Sequence, residues 1–188
     1  MNSSVFRGKC VFLTGHTGFK GSWLALWLHR LGANVYGFSL PPPTDPSNYA
    51  LSNVKGVLSG ETLDDIRNRR LMSQTLAAFN PDVVFHLAAQ PLVRDSYDKP
   101  YETFDVNVMG TASVLDAVRD FGQPCAVVCI TTDKCYENRE QIWGYRECDP
   151  MGGYDPYSAS KGAAEVLIAS YRRSFFHPDR LAKHGVQL

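Results

Sequence analysis

The chain has 188 residues, of which 44% are hydrophobic and 20% charged, the composition of an ordinary globular protein. Its formal net charge is zero, so nothing in the charge balance indicates binding to nucleic acid or to an anionic membrane. No stretch approaches the ~20 apolar residues of a membrane span, and the N-terminus lacks the apolar segment of a signal peptide. The five cysteines form no CxxC pair, and we expect a cytoplasmic protein without a metal site.

The first half of the chain alternates between strand and helix patterns. Short apolar runs predict strands at 9–15 and 33–40 and a weaker one at 56–63. Apolar residues at helical spacing predict helices at 19–32 and 66–79. Residues 41–55, which include three consecutive prolines, are expected to form a loop.

The second half continues the alternation. Apolar runs predict strands at 82–89 and 126–132, and helical spacing predicts one long helix over 100–121. Asp155 and Pro156 have the residue types of an N-cap and a first helical position, which predicts a last helix that reaches residue 176. Near-continuous apolar strands between amphipathic helices indicate an α/β fold with a doubly wound, Rossmann-type parallel sheet.

The last residues, GVQL, resemble the beginning of a further strand. A doubly wound sheet of two mononucleotide-binding halves has its sixth strand at this point. We therefore expect residues 1–188 to form one domain that is truncated near its sixth strand, as an N-terminal fragment of a longer protein would be.

Three glycines lie between the first predicted strand and the first predicted helix, at Gly15, Gly18 and Gly21 in the stretch TGHTGFKG. Such glycines let the backbone turn tightly and approach a pyrophosphate, which then lies at the positive N-terminus of the helix. The spacing GxxGxxG differs from the commoner GxGxxG, and the stretch lacks the Gly-Lys-Ser/Thr ending of an ATP-binding phosphate loop. A dinucleotide site is one interpretation, and a turn that only permits close helix packing is the other.

The residues that distinguish NAD from NADP give a weak signal. The second strand ends in FSL, without the acidic residue that binds the ribose in many NAD sites. No Arg or Lys lies within 33–52 to pair with the phosphate of NADP. NAD is therefore favoured, with Ser39 as the candidate for the ribose hydroxyl and Asp65 for the adenine amino group. Asp65 could equally be the negative charge of a helix N-terminus.

Tyr157 is followed four positions later by Lys161, a spacing that places both side chains on one face of a helix. A tyrosine that acts as a base near neutral pH needs its phenolate stabilised, and a nearby ammonium and a helix N-terminus both do this. Tyr157 lies within the first turn after Asp155 and Pro156. An exposed helix face is the alternative interpretation of the pair.

The apolar run AVVCI leads into Thr132, Asp133 and Lys134. Three adjacent polar side chains of different acid–base character are poor material for a core strand. They suit an active site, because ligands of open α/β sheets bind beyond the carboxyl ends of the strands. The alternative for Lys134 is a surface lysine paired with Glu137.

The chain resembles the extended short-chain dehydrogenase/reductase family over essentially its whole length. The resemblance is carried, in chain order, by TGHTGFKG, HLAAQ, NVMGT, Thr132 and the Tyr157–Lys161 pair. The resemblance implies an NAD-binding Rossmann domain, with Tyr157 as acid and base, Thr132 as its hydrogen-bonding partner, and Lys161 on the nicotinamide ribose. Together with the two contacts proposed above, the cofactor-binding residues are then Gly15, Thr17, Gly18, Phe19, Gly21, Ser39, Asp65, Leu87, Ala88, Ala89, Asn107, Tyr157 and Lys161.

Within that family, the chain resembles the nucleotide-sugar 4,6-dehydratases, and among these the branch that acts on CDP-glucose. The stretches that carry this resemblance are AAQPLVRDSY, TTDKCYENRE, WGYRE and MGGYDPYSASKGAAE. The resemblance implies a lyase that oxidises the sugar at C4, eliminates water across C5–C6 and returns hydride to C6 through retained NAD, in the making of deoxysugars for surface polysaccharide. Tyr157 would be the base at O4 and Asp133 the acid for the departing C6 hydroxyl. Lys134 would be the base at C5 or a charged stabiliser of the enolate.

Two other functions are compatible with the same motifs. An NAD-dependent nucleotide-sugar epimerase or reductase would use Tyr157, Lys161 and Thr132 but would have no need of Asp133 and Lys134. A Rossmann module that binds without turnover is the second alternative, since family members are nearly twice as long and carry most of the sugar-nucleotide pocket in their C-terminal part.

Other positions have weaker signals. Gln90, Arg94 and Ser96, in a predicted loop after the fourth strand, are candidate substrate contacts. His86 lies within an apolar strand, where a hydrogen-bonded core histidine is commoner than a ligand, and Trp143 and Tyr145 either cover the sugar or pack against the fold. The resemblance also implies a homodimer through the helices 100–121 and 156–176.

Overall fold

Six short strands form one parallel sheet in the computed structural model, which describes residues 5–188. The strands are β1 (Cys10–Thr14), β2 (Asn34–Ser39), β3 (Gly60–Leu63), β4 (Val83–His86), β5 (Cys125–Cys129) and β6 (Val186–Gln187). Their spatial order is β3-β2-β1-β4-β5-β6. This is the order of two mononucleotide-binding halves joined at β1 and β4, so the predicted doubly wound sheet is confirmed.

Helices connect the strands and cover both faces of the sheet. They are α1 (Phe19–Arg30), α2 (Asn48–Leu51), α3 (Arg69–Phe79), α4 (Val93–Asp98), α5 (Pro100–Phe104), α6 (Thr111–Phe121), α7 (Pro156–Ser174) and α8 (Leu181–His184). Short 3₁₀ turns occupy Val54–Val57, Asp133–Cys135 and Pro178–Arg180. Within residues 5–188, no helix combines the length and the apolarity that crossing a bilayer requires.

The core lies on both sides of the sheet because successive strand residues point to opposite faces. Phe12 of β1 joins one apolar cluster, in which Met72 of α3 and Leu115 of α6 are buried. Its neighbours Val11 and Leu13 join a second cluster on the other face, with Leu28 of α1. Burial on both faces explains why the strands read as unbroken apolar runs in the sequence.

The start of α7 confirms the predicted N-cap. The Asp155 carboxylate accepts a hydrogen bond of 2.9 Å from the Ser158 backbone N–H, and Pro156 is the first helical residue. At the other end of the chain Val186 and Gln187 pair with Cys125 and Ala126, as predicted for the beginning of a sixth strand.

Residues 100–121 are helical throughout, as predicted, but they do not form one regular α-helix. Asp105–Gly110 forms a π-helical turn between α5 and α6, where one turn is wider than in an α-helix. Such turns shift the register of the following residues, so the buried face does not follow a single helical period. Phe104 is 38% exposed, whereas Asn107 and Thr111 are buried.

Three predicted loops and strands also differ from the structure. The predicted loop at 41–55 contains α2, whose N-cap Ser47 accepts a hydrogen bond of 3.2 Å from the Ala50 N–H. The strand predicted at 56–63 begins only at Gly60, because the residues before it form a 3₁₀ turn. Arg94 and Ser96, predicted in a loop, lie in α4.

Candidate active site

The glycine-rich turn after β1 has the close backbone contacts that its sequence predicts. Gly15 has a left-handed φ of +78°, and a β-carbon there would lie 2.7 Å from the backbone nitrogen of Ala88. A β-carbon on Gly21 would lie 2.0 Å from the Gly15 carbonyl oxygen. Gly18 is the N-cap of α1, and no side chain caps the helix there. The turn is therefore a cradle of bare backbone at a helix N-terminus, which suits a pyrophosphate.

The end of β2 is tied to this turn through Thr17 and Ser39. The Thr17 hydroxyl donates to the Leu40 carbonyl oxygen at 2.8 Å, so the 2.8 Å contact between the two hydroxyls is donated by Ser39. Ser39 is only 6% exposed. Its oxygen keeps its acceptor capacity, which is what a ribose hydroxyl would use.

His16, inside the glycine-rich stretch, belongs to a buried polar cluster that the sequence analysis did not anticipate. Its Nε2 lies 3.0 Å from a Glu61 carboxylate oxygen, to which the Tyr49 hydroxyl donates at 2.7 Å. Burial lowers the pKa of His16 even though Glu61 opposes the shift. The cluster holds the turn against β3, and residues 45 positions apart in the chain give no local pattern by which to find it.

Asp65 is held by an arginine rather than by a helix N-terminus. Arg67 donates to its two carboxylate oxygens at 2.9 Å and 2.6 Å, and reaches Asp105 of the π-helical turn at 2.8 Å. The hydrogen bonds from Arg67 lower the pKa of Asp65. The helix that follows begins at Arg69 with Asn68 as its N-cap, so the interpretation of Asp65 as a helix-terminal charge is wrong. Its contact with adenine stays a prediction.

His86 is a core histidine with both ring nitrogens paired, as expected. Its Nδ1 lies 2.8 Å from the Thr14 hydroxyl and its Nε2 lies 3.0 Å from the Thr111 hydroxyl. The Thr14 hydroxyl also accepts hydrogen bonds of 3.1 Å from the backbone N–H groups of Leu87 and Ala88. Thr14 and His86 thus fix the predicted cofactor-lining segment that follows β4.

Asn107 links that segment to α7. Its side chain accepts a hydrogen bond of 2.8 Å from the Gln90 N–H and donates one of 3.1 Å to the Gln90 carbonyl oxygen. It also donates to the Ser160 hydroxyl at 2.9 Å, and Ser160 donates to the Tyr157 carbonyl oxygen at 2.7 Å. The side-chain amide of Asn107 therefore joins the segment after β4 to the first turns of α7 by hydrogen bonds.

Tyr157 and Lys161 are both buried, 9% and 7% exposed, so the alternative of an exposed helix face is wrong. Burial lowers the pKa of the Lys161 ammonium, while Cys129 and Glu165 oppose the shift. Since Cys129 ends β5 and Glu165 is bound by Thr131, the lysine lies at the carboxyl end of that strand. α7 therefore presents a buried tyrosine and, one helical turn later, a buried lysine at this edge of the sheet.

The turn that carries Asp133 and Lys134 packs directly on α7. A β-carbon on Gly162 would lie 3.2 Å from the Cys135 carbonyl oxygen, which measures how closely the turn approaches the helix. Asp133 and Lys134 themselves are exposed. The structure therefore brings the predicted triplet and the tyrosine–lysine pair together at one edge of the sheet, with polar side chains of the turn open to a ligand.

Within the triplet, the contacts seen are local. The Thr132 hydroxyl donates to Asp133 at 3.1 Å and accepts from the Lys134 N–H at 3.3 Å. Lys134 lies on the surface, as the alternative interpretation has it, but Glu137 pairs with Arg139 at 2.9 Å, and among the described residues no ion pair joins Glu137 to Lys134. The hydrogen bond between Thr132 and Tyr157 stays a prediction.

The other candidate residues occupy different settings. Gln90 binds the Thr103 hydroxyl at 2.9 Å, and Arg94 is exposed on α4. Ser96 is fully buried and its hydroxyl donates to the Val93 carbonyl oxygen at 2.6 Å, as helical serines often do. Of the predicted contacts of the cofactor, Phe19 is 72% exposed at the start of α1.

The aromatic residues of the segment after the triplet differ in role. Tyr145 stacks on Tyr136 with ring centroids 5.7 Å apart, which is a packing role. Trp143 is 64% exposed and remains a candidate for covering the sugar. Among residues 5–188, no group of His, Cys, Asp and Glu side chains is arranged to hold a metal ion.

Similarity to known proteins agrees with this geometry. Residues 12–178 match the family model described as GDP-mannose 4,6 dehydratase. The whole chain is 51% identical to CDP-glucose 4,6-dehydratase of Salmonella typhimurium and covers 52% of that protein. It is 33% identical to CDP-paratose 2-epimerase of Salmonella typhi, with 88% of this chain and 53% of that protein aligned.

A solved structure gives the same result at the level of the fold. UDP-glucose 4-epimerase of Thermus thermophilus, in complex with NAD, superposes with a TM-score of 0.75 at 28% identity, over 89% of this chain and 52% of that one. The chain spans about half the length of these two curated relatives. Because the family model covers residues 12–178, the chain belongs to the GDP-mannose 4,6 dehydratase family.

Proposed function

We propose that the full-length protein is a lyase that converts CDP-glucose to CDP-4-keto-6-deoxyglucose with retained NAD. One observation carries the proposal: the turn with Asp133 and Lys134 packs against the helix that presents Tyr157 and Lys161. An epimerase or a simple reductase needs no second acid–base pair at this position. The 51% identity to a CDP-glucose 4,6-dehydratase supports CDP-glucose as the substrate, in its sugar and in its nucleotide base.

The residues present fit NAD. Glycine at 15 and 21 lets the turn after β1 pack closely, since β-carbons there would collide with backbone atoms, and α1 offers its N-terminal N–H groups to a pyrophosphate. Ser39 would accept from the adenosine ribose, and Lys161 would hold the nicotinamide ribose. The NAD bound by the epimerase of Thermus thermophilus supports this choice. Bound NAD would supply a hydride acceptor for C4 of the sugar and a hydride donor for C6.

The chain's own side chains would move the protons. Tyr157 would take the proton from O4 of the sugar, with the buried Lys161 ammonium stabilising its phenolate. Asp133 would protonate the departing C6 hydroxyl, and Lys134 would either take the C5 proton or stabilise the resulting enolate as a cation. The exposure of Asp133 and Lys134 leaves both groups accessible to a sugar that lies on the turn.

The protein expressed from its complete reading frame tests the proposal. It is incubated with NAD and, separately, with CDP-, dTDP-, UDP- and GDP-glucose, and each product is weighed by mass spectrometry, with Tyr157→Phe as the inactive control. Loss of one water from CDP-glucose supports the lyase. An unchanged mass with every sugar overturns it.

The 33% identity to CDP-paratose 2-epimerase makes an epimerase the second candidate. Its signature in the same experiment is an unchanged mass with altered sugar stereochemistry in the NMR spectrum. Binding of NAD with no change in any sugar would instead indicate a Rossmann module without turnover.

We also propose a homodimer through α5, α6 and α7, located in the cytoplasm. Apolar side chains are exposed on these helices and on the turn between α5 and α6, with Met109 57% and Val166 63% exposed. Light scattering on the full-length protein tests the dimer, and Val166→Glu is expected to shift it toward the monomer.

A further inference from the structure

A chain of buried hydrogen bonds runs from the end of β1 to the backbone of Tyr157, and no step proposed above uses it. Its central residue, His86, is 4% exposed, and Thr14 and Thr111 on either side of it are 0% and 4% exposed. Buried polar groups of this kind need complete pairing, since an unpaired one costs about 1–3 kcal/mol. The direction of each hydrogen bond can therefore be worked out.

Two fixed donors determine the orientation of the Thr14 hydroxyl. The backbone N–H groups of Leu87 and Ala88 both donate to its oxygen at 3.1 Å, which occupies both lone pairs. The hydroxyl hydrogen must then point at His86 Nδ1, 2.8 Å away. Nδ1 is thus an acceptor, and the imidazole proton lies on Nε2.

The hydrogen bonds on the other side of the ring have a defined direction as well. His86 Nε2–H donates to the Thr111 hydroxyl oxygen at 3.0 Å, and the Thr111 hydroxyl donates to the main-chain carbonyl oxygen of Asn107 at 2.7 Å. Asn107 lies in the π-helical turn, and its side-chain amide donates to Ser160, which donates to the Tyr157 carbonyl oxygen. The hydrogen bonds thus reach Asn107 at its main-chain carbonyl and continue from its side-chain amide, which donates both to Ser160 on α7 and to the Gln90 carbonyl oxygen.

The charge of the neighbourhood favours the neutral ring that this pattern requires. Burial and the positive charge of Lys161 both lower the pKa of His86. A second proton on the ring would also break the hydrogen bond from Thr14, because Nδ1 would become a donor facing a hydroxyl hydrogen.

We propose that His86 is a positioning residue, fixed as the neutral Nε2–H tautomer, which sets the π-helical turn at Asn107 and thereby the place of Tyr157 relative to the cofactor-lining segment 87–90. It touches no substrate atom. Its effect on the reaction rests on the proposed function, whereas its tautomer does not.

The tautomer is tested on the full-length protein without any substrate. Histidine is labelled with ¹⁵N in both ring positions, and long-range proton–nitrogen spectra are recorded across the neutral and mildly acidic range, with His86→Gln identifying the signals. The expected result is a neutral ring with the proton on Nε2 that does not titrate. A ring that gains a second proton within this range, or one that carries its proton on Nδ1, overturns the proposal whatever the enzyme turns out to do.

Two variants of Thr111 test the positioning. Thr111→Val removes the hydroxyl between His86 and Asn107 at nearly constant volume, and Thr111→Ser restores it. We expect Thr111→Val to lower kcat about 10- to 100-fold with little change in the KM for the sugar, because a small misplacement of the reacting groups affects the transition state most. Thr111→Ser is expected to recover most of kcat.

Thermal unfolding of the same variants separates this role from a purely structural one. If Thr111→Val only lowers Tm while kcat below Tm is unchanged, or if Thr111→Ser fails to restore kcat although it folds, the positioning role is overturned. If the wild-type protein acts on none of the sugars, the proposed function fails, and the NMR measurement still decides the tautomer.

Discussion

Gly21 approaches Gly15 so closely that a β-carbon at position 21 would lie 2.0 Å from the Gly15 carbonyl oxygen. The contacting atom is backbone and cannot rotate away. The first turn of α1 is therefore pressed against the turn that leaves β1, and the spacing of these two glycines is a packing requirement as well as a feature of nucleotide binding.

We expect Gly21→Ala to lower the free energy of unfolding by about 1–3 kcal/mol, the usual cost of overpacking. The affinity for NAD should fall with it, because the N-terminus of α1 moves away from the turn. Gly144→Ala is the matched control, since a β-carbon there has no atom within 4 Å. Urea unfolding and NAD titration of both variants measure the effect, and equal stability of the two would contradict the packing argument.

Asn107→Ala should destabilise the protein and loosen the segment 87–90. The change leaves the N–H and C=O of Gln90 without their partners, each a loss of about 1–3 kcal/mol if no water replaces it. Hydrogen exchange at residues 87–90 should accelerate. Asn34→Ala, at an exposed position at the start of β2, is the control and should leave exchange in this segment unchanged.

Acidification should destabilise the fold partly through His86. Its pKa is lowered from 6.5 to about 3 in the folded protein, so between these values the unfolded chain binds a proton that the folded one does not. The contribution of the neutral His86 to the free energy of unfolding is then fully present above pH 6.5. It falls as the pH drops, by up to about 1.4 kcal/mol per pH unit.

Urea midpoints between pH 6.5 and about pH 5 measure this slope. His86→Gln should show a shallower dependence than the wild type, whereas His29→Gln, at an exposed position of α1, should keep the wild-type slope. Identical slopes in all three proteins would mean that His86 does not stay neutral.

Asp133→Asn and Lys134→Ala should affect different steps. If Asp133 protonates the leaving hydroxyl, the Asp133→Asn variant of the full-length protein should still exchange the C5 hydrogen of CDP-glucose with deuterated water, but it should eliminate little water from the sugar.

If Lys134 is the C5 base, the Lys134→Ala variant should lose both hydrogen exchange at C5 and elimination of water. Lys134→Arg distinguishes a base from a cation, because an arginine keeps the charge but cannot accept the proton. Mass spectrometry of recovered sugar measures both steps, and exchange that persists in Lys134→Ala would exclude Lys134 as the base.

Local pattern was sufficient for much of this protein. Apolar runs located the strands, and glycine spacing located the turn after β1. The four-residue interval between Tyr157 and Lys161 placed both on one helical face, where they are indeed buried together. These features depend on residues close in sequence, because backbone geometry repeats every two or 3.6 residues and leaves a periodic trace.

The tertiary structure decided what depends on distant residues. The π-helical turn at Asn107 breaks the helical period. In this turn the Asn107 side chain forms hydrogen bonds with Gln90 and Ser160, which are distant in sequence. His16 meets Glu61 only because β1 and β3 lie in the same sheet. The protonation of His86 follows from hydroxyls on β1 and α6. Composition and spacing carry no record of such contacts, since each is created by the packing of elements that the chain brings together only when it folds.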